Sequence, residues 1–520
     1  MRSSKRFAQV AAVLVFLIVL CLAAFNFGDG NDGTNHADDS AYRDVCRIRM
    51  TYPVYEGISD ITDLDQIEAA VNEIAAEKIG VEVELVPVDM YKSEEDYLLW
   101  LCRGDVLDLM LVRNQDITSY IDKGLLNSLN VYLKRNASYV YFRDEMLEGA
   151  LSRRTQQQGK TYGISNIAAE EAYGYGLWIS AALLEEAGIE YQKEHVYTLE
   201  EIDTILARLK ILYPDSYPLG QITARNTHST VTDYMEIGDA LGADMLTGVV
   251  RNDSDVVENI FATEEYYKFL SFMEKWYNAG YIYPDSVTYD ASVLPLLEAK
   301  VCLSFPAYSS PKTFDLMVGK ETDYVCLRTT EIHQNDANTA ADFWTVPATS
   351  RYPEAAVKFL DLCYSDLRVT YLLNYGINGE HYEIYDKENL LMAPILDAQG
   401  NTSGFYNPFA RIGNSKALCG MGTKESKEEE RVYCEQAIEG SGRYEGFGYS
   451  TSAMSGKIDA VRKVVATYAP ILESGSVDLD VNYRNFLTEL EKAGIKEIIA
   501  DKQAQLDTWL DRRQEESPSK

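Results

Sequence analysis

The 37 tyrosines of this chain each join a flat apolar ring face to a hydroxyl. That combination suits a ligand that is partly apolar and partly hydroxylated, although some of these rings must serve ordinary packing. Four loop residues stand out as possible ligand contacts: Tyr52, Tyr55, Arg113 and Asn114. Nucleophilic and metal chemistry find less support. The eight cysteines include no C-x-x-C pair, and most sit in apolar stretches, so buried free thiols are expected. Cys302–Cys326 and Cys419–Cys434 are the pairs to test for bridges. With five histidines and no ligand-like spacing to a cysteine, a zinc site is not expected. A calcium loop from Asp253 would have Asp255 third and Glu264 twelfth, but Val257 stands fifth and Glu258 occupies the sixth place that needs glycine. A glycosidase needs two carboxylates about 5 to 9 Å apart, and nothing singles out such a pair among 81 acidic residues. No cofactor or metal is expected, and on the residues alone a catalytic carboxylate pair stays open beside a binding role.

These candidates need elements to hold them. At 520 residues the chain is too long for one core, so two lobes are expected. Strand patterns at Val45 to Met50, Val81 to Val88 and Val106 to Val112 alternate with helical patterns from Leu64 to Ala75 and from Ser93 to Cys102. That order means an open α/β sheet whose ligand crevice lies at the strand C-termini, where the four loop residues fall. A helix over Ile117 to Leu125 follows, and a second α/β unit begins with a strand over Glu171 to Ile179. Helices are expected at Ala181–Ala187, Glu200–Leu212, Val231–Leu241, Glu264–Ala279 and Pro353–Asp366, and strands at Ala299–Phe305 and Tyr324–Leu327. Ser455 to Leu472 and Asn482 to Arg513 read as helical, Glu425 to Arg431 as a solvated helix face, and Trp276 as core.

Charge and the first residues place the chain. A net charge of -33 repels nucleic acid and anionic ligands and favours a neutral or cationic one. Arg2, Lys5 and Arg6 precede an apolar run from Phe7 to Phe27, the pattern of an export signal. Three fates of the run are open: a lipoprotein cleaved before Cys21, an uncleaved membrane anchor, or release by cleavage near Ala23 or Ala24. The first two tether the protein to the outer face of the membrane. A Gly/Asp/Asn-rich tether follows over residues 28–44.

Several segments together resemble the extracellular solute-binding proteins of bacterial carbohydrate importers. Gly104-Asp105-Val106-Leu107-Asp108-Leu109 and Tyr120-Ile121-Asp122-Lys123-Gly124-Leu125 are similar to a strand and helix of that family. So are Gly159-Lys160-Thr161-Tyr162-Gly163-Ile164, with Ser165 in place of a proline, and Trp276-Tyr277-Asn278-Ala279-Gly280-Tyr281. Leu373-Asn374-Tyr375-Gly376-Ile377-Asn378-Gly379 and Leu490-Glu491-Lys492-Ala493-Gly494-Ile495 resemble the larger lipoprotein-type members with an extra C-terminal domain. Leu20 is larger than the residue a lipoprotein box carries before its cysteine. The resemblance implies a periplasmic-binding-protein-like α/β fold of two lobes joined by a hinge, with a helical C-terminal part. Its parts would be an anchor (1–27), a tether (28–44), lobe 1 (45–163 and about 334–375), lobe 2 (164–333) and a helical region (376–520) packing on both lobes. It implies a monomer that captures a sugar, closes over it and delivers it to the transmembrane subunits of an ABC permease. Peptide binding, coupling to a sensor, and an extracellular glycosidase stay open as alternatives. Family positions at the crevice add Tyr173, Trp178, Tyr234, Tyr308 and Trp344 to Tyr52, Tyr55, Arg113 and Asn114 as ligand contacts.

Overall fold

The strand Cys46–Val54 lies parallel to Val81–Asp89 in continuous register, Cys46 opposite Val81 and Val54 opposite Asp89. The computed structural model describes residues 45–54, 63–90, 93–146, 151–152, 155–157, 159–167, 171–223, 230–251, 254–289, 293–310, 323–335, 342–396, 412–438, 443–444 and 447–516. The helix Leu64–Ile79 connects the two strands and buries Ile67, Val71 and Ala75, the residues set at helical spacing. It ends at Gly80, whose φ of 65° lets its amide turn back to the Ala75 and Ala76 carbonyls. Met110–Val112 joins through a bond from the Thr51 amide to the Leu109 carbonyl (2.9 Å). Phe343–Thr345 then pairs antiparallel with both Met110–Val112 and Gly163–Ser165. One face of this sheet is covered by a core that includes Pro353–Ser365 and Leu367–Tyr375, with Trp344, Phe359 and Leu373 fully buried in it. A smaller core on Tyr97, Ile117, Tyr120 and Phe343 covers the other.

The second half is built around Tyr175–Ser180, flanked antiparallel by Ser304–Tyr308 and Tyr324–Arg328. Leu177, Ile179, Phe269 and Trp276 share one core with Val461, Val465, Phe486, Leu490, Ile498 and Leu506. The helices Ser455–Glu473, Leu479–Ala493 and Ile495–Glu516 are therefore continuous with the second half's interior. Ser450 and Ser452 both donate to the Asp122 carboxylate of the first half, Ser452 at 3.3 Å.

Among the described residues, three segments link the halves. The first leaves Gly163–Ser165 and enters the short strand Glu171–Tyr173. The second returns through His333–Asn335, which pairs antiparallel with Glu171–Tyr173 so that Tyr173 faces His333. The third, residues 412–438, is bonded to both: the Ile167 amide donates to Gly413 (2.9 Å) and the Ile438 amide to Ile332 (2.7 Å).

Five local expectations change. The strand expected over Glu171–Ile179 is split at Gly174 into Glu171–Tyr173 and Tyr175–Ser180, which belong to different ladders. The helix expected over Val231–Leu241 is only a 3₁₀ turn at Val231–Asp233, because Gly238, Leu241 and Gly242 take positive φ values of 86°, 55° and 70° that a helix cannot accommodate. The strand expected from Ala299 begins at Ser304, after a turn in which Lys300 has φ 53°. Within Val106–Val112, only Met110–Val112 is a strand. The first strand runs on to Val54, so Tyr52 lies in a strand and not a loop. All described cysteines are free thiols; Cys302, Cys326, Cys363 and Cys419 are buried, but Cys102 is exposed. Among the described residues no helix is long and apolar enough to cross a membrane.

Candidate functional site

Beside the hinge ladder, three tyrosine rings gather on the edge of the second half. Tyr175 opens one strand and Tyr308 closes its antiparallel neighbour, which sets the two residues opposite one another. Their rings stack at 4.8 Å between centroids with 27° between planes. Tyr308 keeps 46% of its surface exposed and Tyr173 39%. Tyr173 packs against the His333 ring at 5.7 Å. Burial, and then the neighbouring Tyr308, holds the Tyr175 hydroxyl strongly in the phenol form.

Glycines make this arrangement possible. A Cβ on Gly174 would sit 2.8 Å from the Glu331 carbonyl oxygen and 2.9 Å from Ser309 Oγ. On Gly176 it would meet Cys326 Sγ at 2.4 Å. Both positions need a bare backbone because neighbouring strands approach closely. Below Tyr308, Ser309 Oγ and the Tyr433 hydroxyl lie 2.7 Å apart, and Ser310 Oγ donates to Glu430 (3.0 Å), fastening the helix Lys424–Glu435 to the site.

Carboxylates border the rings. Glu236 accepts from the Glu331 amide (2.9 Å) and lies 2.8 Å from His333 Nε2. That hydrogen bond holds the His333 pKa above the usual imidazole value. The Tyr173 pKa is raised, first by burial and then by the charges of Glu236 and Asp239. Asp233 is pushed up to about 7, first by burial and then by the charge of Glu473. A half-exposed aromatic surface rimmed by hydrogen-bond acceptors can cover the C–H face of a sugar ring while bonding its hydroxyls.

The sequence-derived candidates divide. Tyr308 and Tyr173 come together at this platform. Arg113 stands at the end of Met110–Val112 in the other half, where it precedes the helix Asn114–Asp122 and bonds Asp116 through Nε (3.0 Å). Asn114 is the first residue of that helix. Tyr55 and Cys21 lie outside the described residues. Four others are interior. Tyr52 is fully buried and its hydroxyl donates to the Leu373 carbonyl (2.7 Å). Trp344 is the middle residue of a strand paired on both sides and is fully buried. Tyr234 stacks on Phe269 at 5.3 Å, and its hydroxyl donates to Gln221 Oε1 (2.6 Å). Trp178 packs among Leu297, Cys302, Phe305 and Cys326, and its Nε1 donates to the Tyr308 carbonyl (2.8 Å). That bond ties the Tyr308 backbone to the interior. Tyr175, Glu236 and His333 are not among the candidates; the flanking glycines of Gly174-Tyr175-Gly176 are a sequence signal that could have led to the first.

Residues 59–366 match the profile of the bacterial extracellular solute-binding proteins, more than half of the chain. The chain belongs to that family. Residues 443–511 of this solute-binding protein match a domain of unknown function, DUF3502. The carbohydrate ABC transporter substrate-binding protein of Streptococcus pneumoniae serotype 4 is 23% identical over 523 residues, covering 98% of this chain and 99% of the relative. The crystal structure of the N-glycan transport solute-binding protein NgtS from Streptococcus pneumoniae superposes with a TM-score of 0.72 at 20% identity, over 90% of this chain and 100% of that one. The same protein in complex with Man5GlcNAc gives 0.67, over 90% and 99%. A Streptococcus pneumoniae FusA EF-hand mutant in complex with fructo-nystose gives 0.64 at 13% identity, over 90% and 99%. The fold is that of a periplasmic-binding-protein-like molecule, two α/β lobes joined by a hinge with a helical C-terminal part.

Proposed function

We propose that this solute-binding protein captures an oligosaccharide outside the cytoplasmic membrane and delivers it to the transmembrane subunits of an ABC importer. The observation that carries this reading is the Tyr175–Tyr308 stack beside the hinge, with Tyr173 next to it and carboxylates at its rim. Sugar rings stacked on this surface are closed over by the first lobe, which brings Arg113 and Asn114 to the hydroxyl rim. Closure requires contacts that only the closed state offers, so the ligand must touch both lobes. Transporter and N-glycan ligand names among the relatives support the same class of solute. In this reading the protein binds without turnover. Residues 45–163 with about 334–375 form lobe 1, residues 164–333 form lobe 2, and the C-terminal helices extend lobe 2. The apolar run at Phe7 to Phe27 directs export and tethering, by lipid at Cys21 or as an uncleaved helix. Isothermal titration with Man5GlcNAc, fructo-nystose, malto-oligosaccharides and short peptides tests the reading. A glycan should bind at micromolar affinity, about 8 kcal/mol, without being cleaved. Binding of peptides alone, or hydrolysis of a glycan, overturns it.

A further inference from the structure

A buried side chain of the C-terminal helices anchors the segment that borders the aromatic platform. Glu473 closes the helix Ser455–Glu473, inside the domain of unknown function, and is 1% exposed. Its Oε1 accepts from the Tyr266 hydroxyl (2.9 Å) and its Oε2 from Thr230 Oγ1 (2.9 Å) and the Thr230 amide. Thr230 Oγ1 also accepts from Gln221 Nε2 (3.0 Å), and Gln221 Oε1 holds the Tyr234 hydroxyl (2.6 Å). The other side of the Thr230–Glu236 segment meets the platform. The Asp233 carbonyl accepts from Thr329 Oγ1 (2.6 Å), and Glu236 holds both Glu331 and His333, the ring partner of Tyr173. Regular structure in this stretch is limited to one 3₁₀ turn, Val231–Asp233. Its placement therefore depends on side-chain anchors, and the buried carboxylate is the anchor from beneath.

We propose that Glu473 is a positioning residue through which the C-terminal domain sets the Thr230–Glu236 segment and hence the aromatic face offered to the solute. The inference rests on the oligosaccharide reading for its ligand, but its first test needs none. A second buried contact of the same domain serves as control. Lys502 is fully buried, and its Nζ donates to the carbonyls of Ala240 (2.7 Å) and Gly248 (2.6 Å) and to Thr247 Oγ1 (2.9 Å).

Hydrogen exchange on the ligand-free full chain compares Glu473→Ala, Glu473→Gln and Lys502→Met. Glu473→Ala leaves the Thr230 amide and the Tyr266 hydroxyl without their acceptor, so exchange in peptides spanning 230–236 and 171–177 should rise by about tenfold or more. Glu473→Gln keeps one acceptor oxygen and should give an intermediate rise; it also serves if Glu473→Ala does not fold. Lys502→Met should lower the melting temperature and leave those peptides unchanged. Unaltered exchange in both Glu473 variants, or the same rise in Lys502→Met, overturns the proposal. Titration with Man5GlcNAc forms the second arm, in which Glu473→Gln should bind about threefold to tenfold more weakly than the parent. Failure of the parent to bind any glycan refutes the oligosaccharide reading, and the exchange arm still decides the role of Glu473.

Discussion

Replacing Tyr308 by alanine separates ligand binding from folding, because nearly half of this ring is free while the rest is held by one stack. Its exposed share, 46%, is the area a sugar face can cover. If a sugar buries about 50 Å² of the ring at about 25 cal/mol per Å², the lost contribution is about 1.3 kcal/mol, or about tenfold in affinity. The folded protein loses the Tyr175–Tyr308 stack, centroids 4.8 Å apart, a contribution of about 0.5–1.5 kcal/mol. In a chain of this size that lowers the melting temperature by only a few degrees. Tyr308→Phe keeps the face and removes the hydroxyl, so its affinity should stay within about threefold of the parent. The assay is calorimetry on the best glycan of a thermal-shift screen, run well below each variant's melting temperature. Two results refute the reasoning: undiminished affinity in Tyr308→Ala, or Tyr308→Phe binding as poorly as Tyr308→Ala, which would assign the contact to the hydroxyl and not the face.

Three further outcomes follow from the same geometry. Trp178→Ala opens a cavity among Leu297, Cys302, Phe305 and Cys326 and removes the bond to the Tyr308 carbonyl. It should cost about 3–5 kcal/mol in chemical denaturation; a loss under 1 kcal/mol contradicts the interior placement. Gly174→Ala forces a Cβ to 2.8 Å from the Glu331 carbonyl oxygen. Melting should come several degrees lower and glycan binding weaken; an unchanged melt would show that the crossing strands yield freely. Stability should fall from pH 5 to pH 8. Asp233 is raised from 3.8 to about 7 in the fold, so its share is full below its unfolded value and lost as pH climbs through 7. His333 is raised above 6.5 in the fold by its bond to Glu236, so its share is full below 6.5 and falls as pH rises past it. Melting curves of Asp233→Asn should show a shallower decline than the parent, and an equal slope removes Asp233 from the account.

Much of the scaffold was legible because it rests on periodicity. Ile67, Val71 and Ala75 announce a helix and Gly80 its end, and Thr263 and Thr198 cap helices where hydroxyl residues precede apolar periods. The site was less legible. An aromatic residue near a strand end looks the same in sequence whether it faces the core or the crevice. Tyr52 and Tyr308 are chemically alike, yet one strand continues to Val54 in register with Val81–Asp89 while the other ends at its tyrosine. Pro53 cannot donate to a ladder, yet it is the penultimate residue of the strand that holds Tyr52. Trp344 and Tyr234 were drawn inward by contacts far away in sequence, with Leu111 and Ile164 in one case and Gln221 and Phe269 in the other. Glu236 and His333 carry no periodic signal, since their meeting depends on how the crossing segments pair.

The central claim is a two-lobed clamp that closes over a glycan bound on the Tyr175–Tyr308 face. Small-angle X-ray scattering of the full chain, with and without a saturating glycan identified by calorimetry, tests it most directly. The account predicts a smaller radius of gyration on saturation, an effect lost in Tyr308→Ala at the same glycan concentration. Superimposable profiles in the presence of proven binding would contradict it.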